Sequence, residues 1–302
     1  MFFIEARYIN KFFWLWILLV IGVAFVFPQL GSAVKPFLVY LLMGIMFLSS
    51  LKIKFSKILK DFIVFEKVEG IFIHLILIHI LTPLLVIGFK RWLSPDAYVG
   101  FILAAVTSSA VAIVFLCNLL GGKPRRALEI TTISNLLNMA AVPGLLLLFA
   151  GKYIAVDFLS VFFVVVKLIL IPLVIAEIIH LVKLSDPIEK IASPTSIILI
   201  LIITYGIIAP TRNYILQNLL VSLKLFLISL VIITAMFIIG YLTGKNKEEK
   251  ITYGLASSFK NVTLATVIGL TVFGVEVALV PIVYTVASNL LLAPVYLIFA
   301  KK

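Results

Sequence analysis

One short polar run interrupts a strongly apolar chain: Ser257-Ser258-Phe259-Lys260-Asn261-Val262-Thr263. Lys260 falls near the middle of its apolar stretch, roughly 15 Å from either edge at about 1.5 Å per residue, farther than a lysine comfortably reaches to a membrane surface. An ammonium at that depth costs at least about 2.5–3.5 kcal/mol, so it must face protein or water, and a functional cavity is the default. The alternative is a structural pairing with a buried carboxylate. Asp157, Glu177, Glu129 and Glu276 all lie toward the ends of apolar runs, so no acidic residue offers itself at mid-depth. Three options remain for Lys260: an anionic substrate, helix-end carbonyls, or no partner if the amine is uncharged.

Other polar groups recur at comparable depth. Thr107-Ser108-Ser109 forms a second cluster, and Thr131, Ser134, Asn135 and Asn138 share one later run, as Ser288 and Asn289 share another. Such residues either line a polar cavity or hydrogen-bond between helices. His79, five residues after His74 and just ahead of Pro83, is a candidate cavity donor or proton relay, or an interhelical hydrogen bond. Cys117 reads as a small buried hydrophobe. There is no Cys/His cluster with metal-ligand spacing and no paired catalytic constellation, so the expectation is a chain without metal or cofactor that is not an enzyme.

The elements that must hold these groups follow from composition. The 302 residues are 63% hydrophobic and 13% charged with a mean hydropathy of +1.26, against about 45–50% and about 25% in soluble domains. The apolar runs approach the roughly 20 residues of a membrane-crossing helix, not the roughly 10 of a barrel strand. They read Phe12 to Leu30, Ala33 to Leu51, Gly70 to Phe89, Tyr98 to Leu120, Leu128 to Ala150, Ile154 to His180, Pro194 to Ala209, Tyr214 to Thr243, Lys250 to Val272 and Val277 to Ala300. The fold class is therefore an all-α polytopic membrane protein of ten transmembrane helices. The net charge of +12 sits in short turns and serves orientation rather than nucleic-acid binding. Seventeen basic residues lie in the connections on the side of the termini and five on the other, which places both termini in the cytoplasm of a cell membrane. Lys52 to Glu69 reads as a basic topogenic loop or an amphipathic surface segment. Lys167 and Lys224, inside long spans, read as lipid-facing side chains that snorkel.

The fifth and tenth runs repeat a pattern: Thr131-Thr132-Ile133-Ser134-Asn135-Leu136-Leu137 against Thr285-Val286-Ala287-Ser288-Asn289-Leu290-Leu291, each followed by a proline, Pro143 or Pro294. By the charge count these spans run in opposite directions, which is the plan of inverted-repeat transporters, with halves 1–151 and 152–302. In such folds the substrate binds where paired helices unwind at the midplane, and the Thr107–Ser109 and Ser257–Thr263 clusters are the candidate breaks.

With its inverted halves, the His79/Pro83 span, the segment TSSAVAIVFLCNLLGGKPRRALEITTISNLL and the segment SSFKNVTLA, the chain resembles the bile acid:sodium symporter family. Lys260 stands in place of that family's crossover glutamine, and Asn261 is retained. The resemblance implies a core domain of spans three to five and eight to ten, with the fourth and ninth broken and crossing. It also implies a panel domain of spans one, two, six and seven, and transport by rocking. Positions that help hold sodium in the family correspond to Ala256, Ile113 and Val114, and of that set Thr131 is kept. A hard cation needs several oxygen ligands. The expectation is a sodium-independent carrier of a small organic anion, with Lys260 as counter-charge or as the group that couples transport to protons. A sodium-coupled symporter and a cation/proton exchanger are the alternatives, and a membrane-embedded enzyme or receptor stands further off.

Overall fold

The computed structural model describes residues 13–51, 65–153 and 157–299. Among these residues every regular element is a helix, as a bilayer favours, because a helix satisfies its own backbone groups where water is absent. Twelve helices are described besides a short 3-10 turn at Lys90–Trp92: α1 (Phe13–Val26), α2 (Pro28–Ser50), α3 (Phe65–Ile76, a π-helical turn Leu77–Leu81, then Thr82–Gly88), α4 (Pro95–Val106), α5 (Ile113–Leu120), α6 (Pro124–Ala150), α7 (Phe158–Leu181), α8 (Ser185–Gln217), α9 (Leu219–Thr243), α10 (Lys247–Ser258), α11 (Val262–Phe273, ending in a π turn) and α12 (Val275–Phe299). Seven helical stretches are long and apolar enough to cross a membrane: 28–50, 70–88, 124–150, 158–181, 185–217, 219–243 and 275–299. Three apolar helices are shorter, 15–26, 95–106 and 262–273.

The run expected over Tyr98 to Leu120 is divided into α4 and α5, and the run over Lys250 to Val272 into α10 and α11. Apolar composition did not mark every end. The seventh run, expected from Pro194 to Ala209, is helical from Ser185 to Gln217, and the eighth begins at Leu219 rather than Tyr214. Polar caps mark the ends better: Ser94 accepts from the Ala97 N–H at 3.3 Å, Asp157 from Leu159 at 3.0 Å, and Asn246 from Glu249 at 2.9 Å. Most of the Lys52–Glu69 segment, together with the terminal residues Arg7, Lys11, Lys301 and Lys302, lies outside the described residues. Lys167 and Lys224 are exposed on the outer surface of α7 and α9, the position of a side chain in contact with lipid.

α4 is buried along nearly its whole length, and α6 and α12 pack against it. Close approach to α12 depends on Gly100, where a Cβ would fall 2.8 Å from the Val280 Cβ and would also meet the Val277 carbonyl oxygen. Overpacking of this kind costs about 1–3 kcal/mol. Gly100→Leu should lower the melting temperature of the detergent-purified protein by several degrees. Gly22→Leu, at a position with nothing within 4 Å of an added Cβ, should leave it unchanged. Equal melting temperatures for the two variants would refute this packing.

Candidate functional site

The two broken runs cross at their breaks. Thr107, with φ −72° and ψ 157°, and Phe259, with φ −84° and ψ 103°, leave the helical conformation. They lie at clusters of Ser, Thr and Asn, whose side chains compete with the helix for backbone partners. The extended segments then pair with each other. The Ala110 N–H donates to the Phe259 carbonyl at 2.7 Å and the Asn261 N–H to the Ser108 carbonyl at 2.8 Å, an antiparallel bridge with Ser109 opposite Lys260.

Side chains take the remaining groups. The Ser109 hydroxyl donates to the Ala256 carbonyl at 2.6 Å, the Thr107 hydroxyl to Ala104 at 2.8 Å, and the Tyr284 hydroxyl to Ser258 at 3.4 Å. The Asn261 side chain caps α11 by accepting from the Leu264 N–H at 3.2 Å. A buried carbonyl left without a donor would cost about 1–3 kcal/mol.

Lys260 completes this set. It is buried, and its Nζ donates to the Thr107 carbonyl at 3.1 Å and to the Ile78 carbonyl at 2.5 Å. Thr107 closes the C-terminal end of α4, where helix dipoles favour a positive charge. Ile78 is free to accept because of the π turn. The Thr82 N–H, which an α-helix would give to Ile78, bonds to Leu77 instead, and Pro83 has no N–H to offer. Of the three options open to Lys260 from the sequence, helix-end carbonyls are the partners observed.

A cavity of about 90 Å³ lies on the opposite side of the crossover. Its polar lining comes from Thr204, Lys260, Asn261, Thr263, Thr285, Ser288 and Asn289, and its apolar lining includes Ile17, Leu42, Met46, Ile200 and Leu292. It therefore lies between α1, α2 and α8 on one side and the crossover with α12 on the other. The first residues of both downstream half-helices face it, Ala110 to Ala112 before α5 and Asn261 to Thr263 at α11. Helix N-termini present N–H groups without helical acceptors and a positive dipole end, so both favour an anion.

Of the residues singled out from sequence, Lys260, Asn261, Thr263, Ser288 and Asn289 meet at this cavity. The others stand behind or beside the crossover. Ser108 donates to Asn135 Oδ1 at 2.7 Å, and the same oxygen lies 3.4 Å from Asn261 Nδ2 and 3.5 Å from Asn138 Nδ2. Ser134 donates to the Thr131 carbonyl, Ser258 to Gly254, and Ser257 Oγ lies 3.2 Å from His74 Nδ1. His79 bonds through Nδ1 to the Val106 carbonyl at 2.9 Å, an interhelical bond.

Thr131 Oγ1 is buried with no partner among the described residues. Ala256, Ile113 and Val114 bring no side-chain oxygen, so their side chains do not form the ligand set of a hard cation.

Three contributors escaped the sequence reading. Thr285 shares one helical face with Ser288 and Asn289, at the spacing i, i+3, i+4, which was the available signal. The Ile78 carbonyl was hinted at by Pro83. Thr204, a lone hydroxyl on α8 at the cavity wall, carried no signal.

At the polar end of α10, outside the apolar spans, Lys123 joins the α5–α6 turn to α10: its N–H donates to Thr252 Oγ1 at 2.7 Å and its Nζ to Glu249 at 2.8 Å. That hydrogen bond from Lys123 holds the Glu249 carboxyl below the usual range for a glutamate.

The sequence pattern of the Sodium Bile acid symporter family matches residues 39–218, more than half of the chain. The chain belongs to this family. It is a multi-pass membrane protein of a transporter family, and the matched residues include the α4–α5 break and the Thr107 and Ile78 carbonyls that hold Lys260. It is also 24% identical, over 273 residues, to "Uncharacterized sodium-dependent transporter YocS" of Bacillus subtilis (strain 168), an alignment covering 86% of this chain and 83% of that one.

Asn135 joins α6 to both broken runs through one oxygen. Asn135→Ala should destabilise the protein by about 1–3 kcal/mol, since it leaves the Ser108 and Asn261 donors short of an acceptor. Asn289→Ala, whose amide bonds within its own helix to the Thr285 carbonyl, should cost less than about 1 kcal/mol. Denaturation of the two purified variants measures the difference, and equal losses would contradict the role given to Asn135.

Proposed function

We propose that this chain carries a small organic anion across the cell membrane without sodium. Ten spans form two inverted halves, 1–151 and 152–302, with both termini cytoplasmic. One body containing α1, α2, α7 and α8 rocks against another containing the crossover, and the anion binds in the cavity between them. The observation that carries this reading is Lys260 at the crossover, its Nζ held by the Ile78 and Thr107 carbonyls with no carboxylate beside it among the described residues. A buried positive charge attracts an anion entering from the cavity side, and the N-termini of α5 and α11 add to that attraction.

Support for sodium independence is also chemical. A fixed ammonium supplies at the crossover the charge that a bound cation would otherwise supply, and a second cation close by is repelled. The alternative is a sodium-coupled organic-anion symporter. The relative's name, which says sodium-dependent, and the unpartnered Thr131 hydroxyl favour that alternative.

Reconstituted into liposomes, the wild type should take up benzoate at rates that change less than about twofold when choline replaces sodium. Lys260→Met should lose at least about tenfold in uptake and should melt lower, since two buried carbonyls lose their donor at about 1–3 kcal/mol each. Uptake that needs sodium and survives Lys260→Met would establish the symporter instead.

A further inference from the structure

His79 holds a second basic group behind the crossover. The residue is 5% exposed and sits on the π turn of α3. Its Nδ1 faces the Val106 carbonyl, which only accepts, so Nδ1 carries the hydrogen of the neutral ring. Nε2 is then the basic nitrogen, and it is buried with no partner among the described residues. Buried acceptors are normally satisfied, so an exception calls for an occupant or a task.

Lys260 holds the neighbouring carbonyls, Thr107 next to Val106 and Ile78 next to His79. Two basic side chains therefore share one helix C-terminus. The elements packed against the π turn bring other titratable groups, but they stand elsewhere. His74, further along α3, contacts Ser257 and stacks at 4.0 Å on Tyr253 of α10. Asp96 and Tyr98 lie at the far end of α4, and Tyr98 donates to the Phe149 carbonyl. Lys247, Glu248, Glu249 and Lys250 are at the start of α10, with Glu249 paired to Lys123. Arg125 and Arg126 of α6 each pair with Glu129 at its first turns. The charge beside His79 is Lys260.

We propose that Nε2 of His79 is the proton-binding site through which this carrier couples anion transport to protons, a claim that rests on the anion-carrier reading. With the cavity empty, burial first and the positive charge of Lys260 second keep a proton off His79. An anion entering the cavity offsets that repulsion, and Nε2, behind the crossover, then takes a proton. The site carries one net positive charge before loading and one after, because the anion and the added proton cancel. Anion and proton leave together on the other side. Linkage makes each raise the affinity for the other equally, by about 5- to 150-fold in typical coupled sites.

The chain has three histidines, so nitrogen NMR on histidine-labelled protein resolves them, with His79→Gln as the assignment. In the wild type His79 should show the Nδ1–H neutral form from pH 5 to 8. In Lys260→Met it should gain the second N–H at a higher pH than in the wild type, and Lys260→Gln serves if the methionine variant does not fold. Benzoate added to weakly buffered wild type should draw up about one proton per anion bound. His79→Gln should bind benzoate on the order of tenfold more weakly, without proton uptake. An Nε2–H tautomer, a histidine that titrates alike in the wild type and both Lys260 variants, or benzoate binding without proton uptake in the wild type would overturn the proposal. Absence of any benzoate binding would count against the carrier reading itself, and the NMR result would still decide the proton site.

Discussion

A backbone carbonyl inside a bilayer has no water to turn to, and a chain that breaks a helix there must find a partner for each group it frees. Here two helices break at one depth, and each supplies the other: Ser108 and Phe259 accept across the crossing, and Ser109 and Tyr284 serve two more carbonyls. The Thr107 and Ile78 carbonyls are served by Lys260, which no hydroxyl or amide replaces. The crossover, the cavity in front of it and the histidine behind it all meet at that side chain.

The same geometry divides the electrostatics of the site. The C-terminal end of α4 gives the Thr107 carbonyl to Lys260 and the Val106 carbonyl to His79, and the N-terminal ends of α5 and α11 face the cavity. The break thus gathers basic side chains on carbonyls on one side and sets helix N-termini on the other. Family members that use sodium need oxygen ligands for it, and Ala256, Ile113 and Val114 bring none in their side chains. A tethered charge needs no such ligand set, only carbonyls, and α3 provides one through its π turn.

Much of this was legible in the chain. A charged residue in a long apolar run is costly enough to single out Lys260, and the Ser, Thr and Asn clusters at 107–109 and 257–263 mark both breaks because such side chains disfavour helix interiors. What stayed hidden has a physical cause in each case. Ile17 and Leu42 face the cavity with the same apolar side chains that face lipid elsewhere, so composition does not separate them. The Ile78 carbonyl is a backbone group, and its freedom comes from a change of helical register that Pro83 only suggests. The start of α8 lies nine residues before its expected edge at Pro194, because Ser185 and its neighbours are polar yet helical outside the apolar run.

The central claim is that a tethered ammonium does at this crossover what a mobile cation does in sodium-coupled carriers. The most direct measurement is equilibrium binding of radiosodium to the purified wild-type protein. The account predicts no saturable binding at any sodium concentration up to the physiological range. Saturable binding with about one or more ions per chain would contradict it.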